Sequence, residues 1–233
     1  MGRVIMSGIV PMLTVPATTK PNFADNTWSQ IIKACQTNRV PDTWAVGNQK
    51  TMSIGGTDYV IDIIGKNHDT YSSGGTAPLT FQLHDCYGTQ YSMNSSDTNV
   101  GGWTSCVMRA THLPAILNQM PSEVQNGIRE VNKLTSAGNT SSTINTTADK
   151  LFLLSEIEIY GRIFYSVSGE GKQYDYYKAG NSKVKNQNGS AKDWWERSPY
   201  TADADYFCFM SNVGEHSFGS ASTTRGVSFA FCF

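Results

Sequence analysis

Two dipeptides, His68-Asp69 and His84-Asp85, set an imidazole beside a carboxylate, the pairing that a general base and its orienting group require. A nucleophile would have to come from a serine or cysteine elsewhere. The chain has no Gly-x-Ser-x-Gly turn to raise a serine, and neighbouring side chains on a strand point to opposite faces. Both dipeptides therefore read as hydrogen-bonding pairs that hold loops, and no catalytic residue is assigned. Asp97-Thr98-Asn99 starts like a calcium loop but lacks the further oxygen ligands and the closing glutamate, so it reads as an Asn/Asp turn. Cys35, Cys86, Cys106, Cys208 and Cys232 form no Cys-x-x-Cys pair and no zinc-ligand spacing. Their odd number rules out complete pairing within the chain, and free buried thiols made in a reducing cytosol are expected. Cys208 and Cys232 lie in aromatic strand patterns and could face each other across strands, bridged or not. Apolar surroundings would raise their pKa and leave them inert. Neither a metal nor a cofactor is expected.

The stronger chemistry is that of recognition. Trp194-Trp195-Glu196-Arg197, followed by Ser198-Pro199, is open to two readings. Trp and Arg dominate binding hot spots and could grip a ligand. The preferred reading is a buried clamp, with Arg197 paired to a carboxylate and stacked on an indole. Between Pro199 and Gly226 runs a stretch of small polar residues with a few large aromatics. Tyr200, Asp203, Asp205, Ser211, Asn212, Glu215, His216, Phe218, Ser220, Ser222 and Thr224 combine stacking with adaptable hydrogen bonding, as a paratope does. Large aromatics such as Tyr200 and Phe218 in so small-residue a stretch need a reason, and a binding surface over residues 200–225 supplies one.

A rigid framework must hold such a surface out. The chain has 233 residues, 39% hydrophobic and 11% aromatic, enough for one core. Charged residues make up only 16% and the formal net charge is -1, which argues against a nucleic-acid partner. No apolar run reaches membrane-spanning length, so no membrane insertion is expected. Residues 1–21 lack periodicity and read as an attachment arm, and residues 22–233 as a single mixed α+β domain.

Within it, Trp28, Ile31, Ile32 and Cys35 share one helical face behind the capping residues Asp25 to Thr27, and Pro41 stops that helix. Alternation around Gly55-Gly56 predicts a hairpin over 51–64. A strand is expected over 79–86 and a polar loop over 94–99. An amphipathic stretch from Trp103 should bury Val107, Ala110, Leu113 and Leu117, with Pro114 kinking or restarting it. Pro121 suits the first position of a helix. Ile128, Val131 and Leu134 continue an apolar pattern, residues 136–147 read as a polar loop, and Leu151 to Leu154 as a buried strand. Residues 169–189, with Tyr174, Tyr176 and Tyr177, read as an irregular surface loop. Strands are expected at 206–210, up to Ala221, and from Val227.

Trp194 to Pro199, Tyr206-Phe207-Cys208 and the ending Gly226-Val227-Ser228-Phe229-Ala230-Phe231-Cys232-Phe233 resemble an uncharacterised C-type-lectin-like family of prophage tail-region and Gram-positive surface proteins. Its form is Trp-x-Arg-Ser-Pro, a variable hairpin, then a Gly-Val-x-Pro/Phe-x-Phe-Cys ending. The likeness extends to Trp28–Lys33, Asp62–Asp69, Gly101–Ser105 with Met108-Arg109, and Lys150–Glu158. Phe229 stands where many relatives carry Pro. The resemblance implies helices packed on a small twisted antiparallel sheet, related to the formylglycine-generating enzyme fold. It implies a non-enzymatic, receptor-binding role on a phage tail, with diversification of the terminal hairpin by a retroelement in some relatives. The expected partners are a bacterial host surface protein or glycan, other virion tail proteins, and further copies of the chain, a trimer favoured. The expected location is the virion, assembled in the host cytoplasm, with the bacterial cell surface as alternative. Two other readings remain: an oxidase of the formylglycine-generating type or another enzyme on this fold, and a structural decoration protein.

Overall fold

In the computed structural model residues 18–233 are described, and most of the expected arm lies outside them. The arm ends earlier than expected. The Lys20 amide donates to Asn26 Oδ1 (2.7 Å) and its carbonyl accepts from the Trp44 indole (3.0 Å), so residue 20 already belongs to the domain.

In chain order the elements are α1 (Trp28–Gln36), β1 (Gln49–Ile54), β2 (Thr57–Lys66), β3 (Leu79–Leu83), α2 (Gly102–Ser105), α3 (Leu113–Leu117), α4 (Ser122–Gly127), β4 (Val131–Ser136), β5 (Ile144–Asp149) and β6 (Leu151–Phe152). They continue as α5 (Glu156–Tyr160), α6 (Asp175–Lys178), β7 (Lys185–Gln187), β8 (Ser190–Lys192), β9 (Trp194–Pro199), β10 (Tyr206–Met210), β11 (His216–Ser220) and β12 (Ala230–Cys232). The mixed α+β class is as expected, with every named sheet antiparallel.

Local signals explain the first half. Thr27 caps α1 in a reciprocal box with Gln30, and Trp28, Ile31, Ile32 and Cys35 are buried. Gly55 and Gly56, at φ 59° and 83°, make the turn that pairs Ile54 with Thr57. The five-stranded sheet runs β1-β2-β3-β12-β6, so the last strand of the chain lies inside it, between β3 and β6. Phe81 stacks on Phe231 (5.4 Å), and Phe233 meets both Phe81 and Trp28. The three-stranded sheet runs β11-β10-β9 and carries the 200–225 region.

Several expectations fail for identifiable reasons. Ala110 is exposed and Val107 and Leu117 only half-buried, while Met108, Leu113 and Ile116 fill the core. Residues Met108–His112 form a π-helical turn just before Pro114, which shifts the phase of the buried stripe and absorbs the proline's missing donor. Pro121 is the N-cap of α4, one position before the first helical residue. Leu134 is exposed and Lys133 takes the inward position on β4. The supposed loop 136–147 contains the start of β5, paired to β4 from Ser136↔Ile144 onward. Tyr176 and Tyr177 belong to α6 and Tyr174 is its N-cap, and all three are buried, not displayed on a loop. Cys208 and Cys232 belong to different sheets, and all five cysteines are free and buried. Among the described residues no helix is long and apolar enough to cross a membrane.

Candidate functional site

Strand alternation puts His216, Phe218 and Ser220 on one face of β11, opposite Met210, Cys208 and Tyr206 of β10. Tyr200, just past β9, lies flat on Phe218 with ring centroids 4.0 Å apart and planes 4° from parallel. Tyr206 meets both rings at 6.2 and 5.8 Å. The other side is closed by a segment that sequence reasoning passed over. Tyr165 packs edge-on against Phe218 (4.9 Å) and Tyr200 (5.8 Å), and Phe164 stacks on His216 (3.6 Å, 9°). Arg162 lies over Phe164 at 4.4 Å. All six rings are half-buried, neither sealed in nor free, and form one continuous aromatic face.

Two buried side chains hold this face in place. The Glu156 carboxylate, fully buried at the start of α5, accepts from the amides of Phe164 (2.9 Å), Tyr165 (3.0 Å) and Ser166 (2.9 Å) and from the Ser166 hydroxyl (2.7 Å). The loop bearing Phe164 and Tyr165 is wrapped around that anion. Asn99 Nδ2 donates to the carbonyls of Tyr200 (3.2 Å), Asp203 (2.9 Å) and Tyr206 (2.8 Å), while its Oδ1 accepts from the Asn139 amide (2.7 Å). The expected Asn/Asp turn is there, but its asparagine braces the loop between β9 and β10. Asp97 likewise accepts from the amide (3.1 Å) and hydroxyl of Ser222, tying down the segment after β11.

The residues expected to bind therefore divide. Tyr200, His216 and Phe218 meet in the aromatic face, with Ser220 half-buried on the same strand face. Asp203 Oδ1 accepts from the Asp205 amide (2.9 Å), and the Asp205 carbonyl accepts from Ala221 (2.9 Å), so both shape their loop while the Asp205 side chain stays exposed. Ser211 closes the β10–β11 turn by accepting from the Glu215 amide (3.0 Å), and Glu215 projects into solvent 3.9 Å from His216. Asn212 and Thr224 instead line a separate cavity of about 320 Å³ with Lys192, Asp193 and Arg225.

Of the clamp expected at 194–197, Arg197 has the carboxylate but not the indole. Arg197, fully buried, donates both terminal nitrogens to Glu158 and also bonds the carbonyls of Leu153 (2.9 Å) and Glu170 (2.7 Å). Among the described residues it stacks on no indole. Arg225 does, lying 4.6 Å from Trp195 and 3.9 Å from Phe209, and Lys185 lies 5.4 Å from Trp194. Glu196 points to the opposite side of β9, where its buried carboxyl has no hydrogen-bond partner among the described residues and burial pushes its pKa well up.

Behind Arg197 the charges form a network. Lys133 Nζ bonds Asp69 (2.8 Å), Glu158 (2.7 Å) and the Tyr174 hydroxyl (3.2 Å). Burial opposes ionisation of Asp69, but Lys133, His68 and the Thr80 hydroxyl together outweigh it and hold the carboxyl down to about 2. Burial likewise opposes ionisation of Glu158, and Arg197 with Lys133 outweighs it. His68, Asp69 and Glu158 have ligand atoms within 4.8 Å of one another, as a metal would require. The Lys133 ammonium already bridges the two carboxylates there. His68 lies flat on Tyr174 (3.8 Å), its pKa lowered by burial. His84 bonds Asp62 (2.8 Å), not its neighbour Asp85, and that bond raises its pKa. Burial drives up all five thiols, Cys35, Cys86 and Cys106 to about 12 and Cys208 and Cys232 well above the ordinary value.

Fold and site together define a mixed α+β domain whose terminal three-stranded sheet presents a braced aromatic face. Residues 77–233 match the family described as Domain of unknown function (DUF6273), and the chain belongs to that family. The match takes in β3 to β12 and so the whole aromatic face. Comparison with curated proteins and with solved structures finds no match.

Proposed function

We propose that this domain is a non-enzymatic receptor-binding module of a phage or prophage tail, built on a C-type-lectin-like fold, and that the aromatic face meets a protein or glycan on the bacterial host surface. The observation that carries the reading is the half-buried ring cluster of Tyr165, Tyr200, Phe218 and His216, fixed from beneath by Glu156 and Asn99. Such rings offer large contact area at little entropic cost, and bracing removes loop-ordering cost from binding. The raised thiols, and the engagement of Asp69 and Glu158 by Lys133, favour recognition over the oxidase alternative. A face of this size binds weakly alone, so presentation as a trimer on the tail would supply avidity. The virion is the proposed location, with a bacterial cell surface as the alternative, and retroelement diversification would act on residues 200–225.

The test is attachment of the purified full chain to host cells, wild type against Tyr200→Ala/Phe218→Ala. Attachment should fall at least about tenfold, while the lost stacking costs roughly 1–3 kcal/mol of stability. Unchanged attachment by a folded double variant would refute the reading. A face that instead mediates packing against a neighbouring virion subunit would point to the decoration role.

A further inference from the structure

Outside the buried network of Lys133, Arg197, Asp69 and Glu158 the surface opens into two adjoining cavities that share His68, Gly171 and Lys172. The larger, of about 480 Å³, is also lined by Lys66, Lys178 and Asp175. Among the described residues none of Lys66, Lys172 and Lys178 is ion-paired, nor does the Nζ of any of them make a hydrogen bond. The buried charges behind them do not use them up. Lys133 and Arg197 are matched by Asp69 and Glu158, so that quartet is formally neutral. Among the described residues Asp175 is the one carboxylate lining the larger cavity, which so keeps an excess of two positive charges in a chain whose net charge is -1.

We propose that this cleft binds a phosphate-bearing ligand with a sugar- or polyol-sized remainder. Three flexible ammonium groups around one concavity suit phosphate oxygens, on one dianionic monoester or on successive monoanionic diesters, which they contact as point charges, whereas carboxylate recognition favours a planar guanidinium fork. The volume exceeds what a bare phosphate fills and lies in the range of small-molecule sites. His68, pinned flat on Tyr174, forms the wall between the two cavities and leaves its ring edge for a hydrogen bond from the uncharged part. The cleft shares no residue with the aromatic face. Gly161, which ends α5, lines the cleft, and the loop that follows carries Phe164 and Tyr165.

The shared chemistry is a phosphate ester, and its source is either a free sugar phosphate or a phosphodiester-linked polyol chain. Calorimetric titration of the full chain with glucose 6-phosphate, with a short glycerol phosphate polymer, and with glucose separates these. Saturable binding of either phosphate probe, absent for glucose, is expected. Lys172→Gln/Lys178→Gln, both at exposed positions, should weaken it about tenfold, the loss expected for two charge-assisted contacts. Tighter binding of the polymer assigns the polymeric source, and tighter binding of the monoester the free one. Tyr200→Ala/Phe218→Ala should leave this binding unchanged, so the cleft and the aromatic face fail or survive separately. No saturable binding of either phosphate probe, equal binding of glucose, or unaltered affinity in the lysine variant overturns the proposal.

Discussion

Replacing Asn99 by Ala removes the brace between the β9–β10 loop and Asn139. Nδ2 reaches three carbonyls, at 3.2, 2.9 and 2.8 Å, with two hydrogens, so one is shared, and Oδ1 takes the Asn139 amide at 2.7 Å. The Tyr206 carbonyl keeps a second partner in the Tyr200 amide (3.0 Å). The Tyr200 and Asp203 carbonyls and the Asn139 amide lose their side-chain bond in or near a buried site. At about 1 kcal/mol per bond, the expected loss is about 3 kcal/mol. A domain stable by roughly 5–15 kcal/mol survives that and stays folded. Urea unfolding should show a lower midpoint at unchanged slope, and hydrogen exchange should show lost protection at the Tyr200 amide, whose acceptor, the Tyr206 carbonyl, borders the freed loop at the start of β10. Attachment should weaken although no residue of the aromatic face has changed. Asn99→Asp should be worse than Ala, because a carboxylate would confront three carbonyl oxygens. A loss below about 1 kcal/mol with wild-type exchange across 200–206 would refute the bracing argument.

Three further outcomes are expected. Burial raises Glu170 to about 7, so the folded state holds a proton that the unfolded chain releases near its ordinary pKa of 4.5. Stability from this group is full below about 4.5 and declines by about 3 kcal/mol as pH rises to about 7, a slope that Glu170→Gln should remove from a series of denaturant titrations. Lys133→Met leaves Asp69 buried without its cation and should cost about 3–5 kcal/mol in thermal or urea unfolding, whereas a surface-like loss below about 1 kcal/mol would contradict the buried network. Gly138, at φ +71°, has the Asn99 carbonyl 1.8 Å from where a Cβ would sit, while Gly180, at φ +86°, has nothing within 4 Å. Gly180→Ala should cost only the left-handed penalty of about 1–2 kcal/mol, and Gly138→Ala distinctly more, compared by midpoint shift.

Elements whose partners lie within a few residues were legible in the chain. The Thr27–Gln30 box, the Gly55-Gly56 turn and the strand at 206–210 each follow from spacing, because capping, turn geometry and alternation are short-range. Tyr200, His216 and Phe218 were legible too, as large rings in a small-residue stretch. What escaped depends on contacts far along the chain. Lys133 reads as a surface lysine until Asp69, 64 residues away, is brought to its ammonium. Tyr174 reads as a loop tyrosine until its hydroxyl meets the same carboxylate across 105 residues. Glu156 carries no pattern at all; a carboxylate becomes a loop anchor once three amides converge on it. That Arg197 needs a carboxylate is legible from its apolar neighbours, but the choice of Glu158 over the adjacent Glu196 follows from which side of β9 each one faces.

Residue order alone thus specified the antiparallel hairpins, the first helix and the small-polar stretch with its isolated rings, since these express backbone preferences and periodicity. Chain closure specified which rings touch, which charges are matched inside and which lysines are left facing an open cleft. Pairing between distant groups depends on where the backbone returns, and a buried charge is tolerable only where that return brings its opposite within reach.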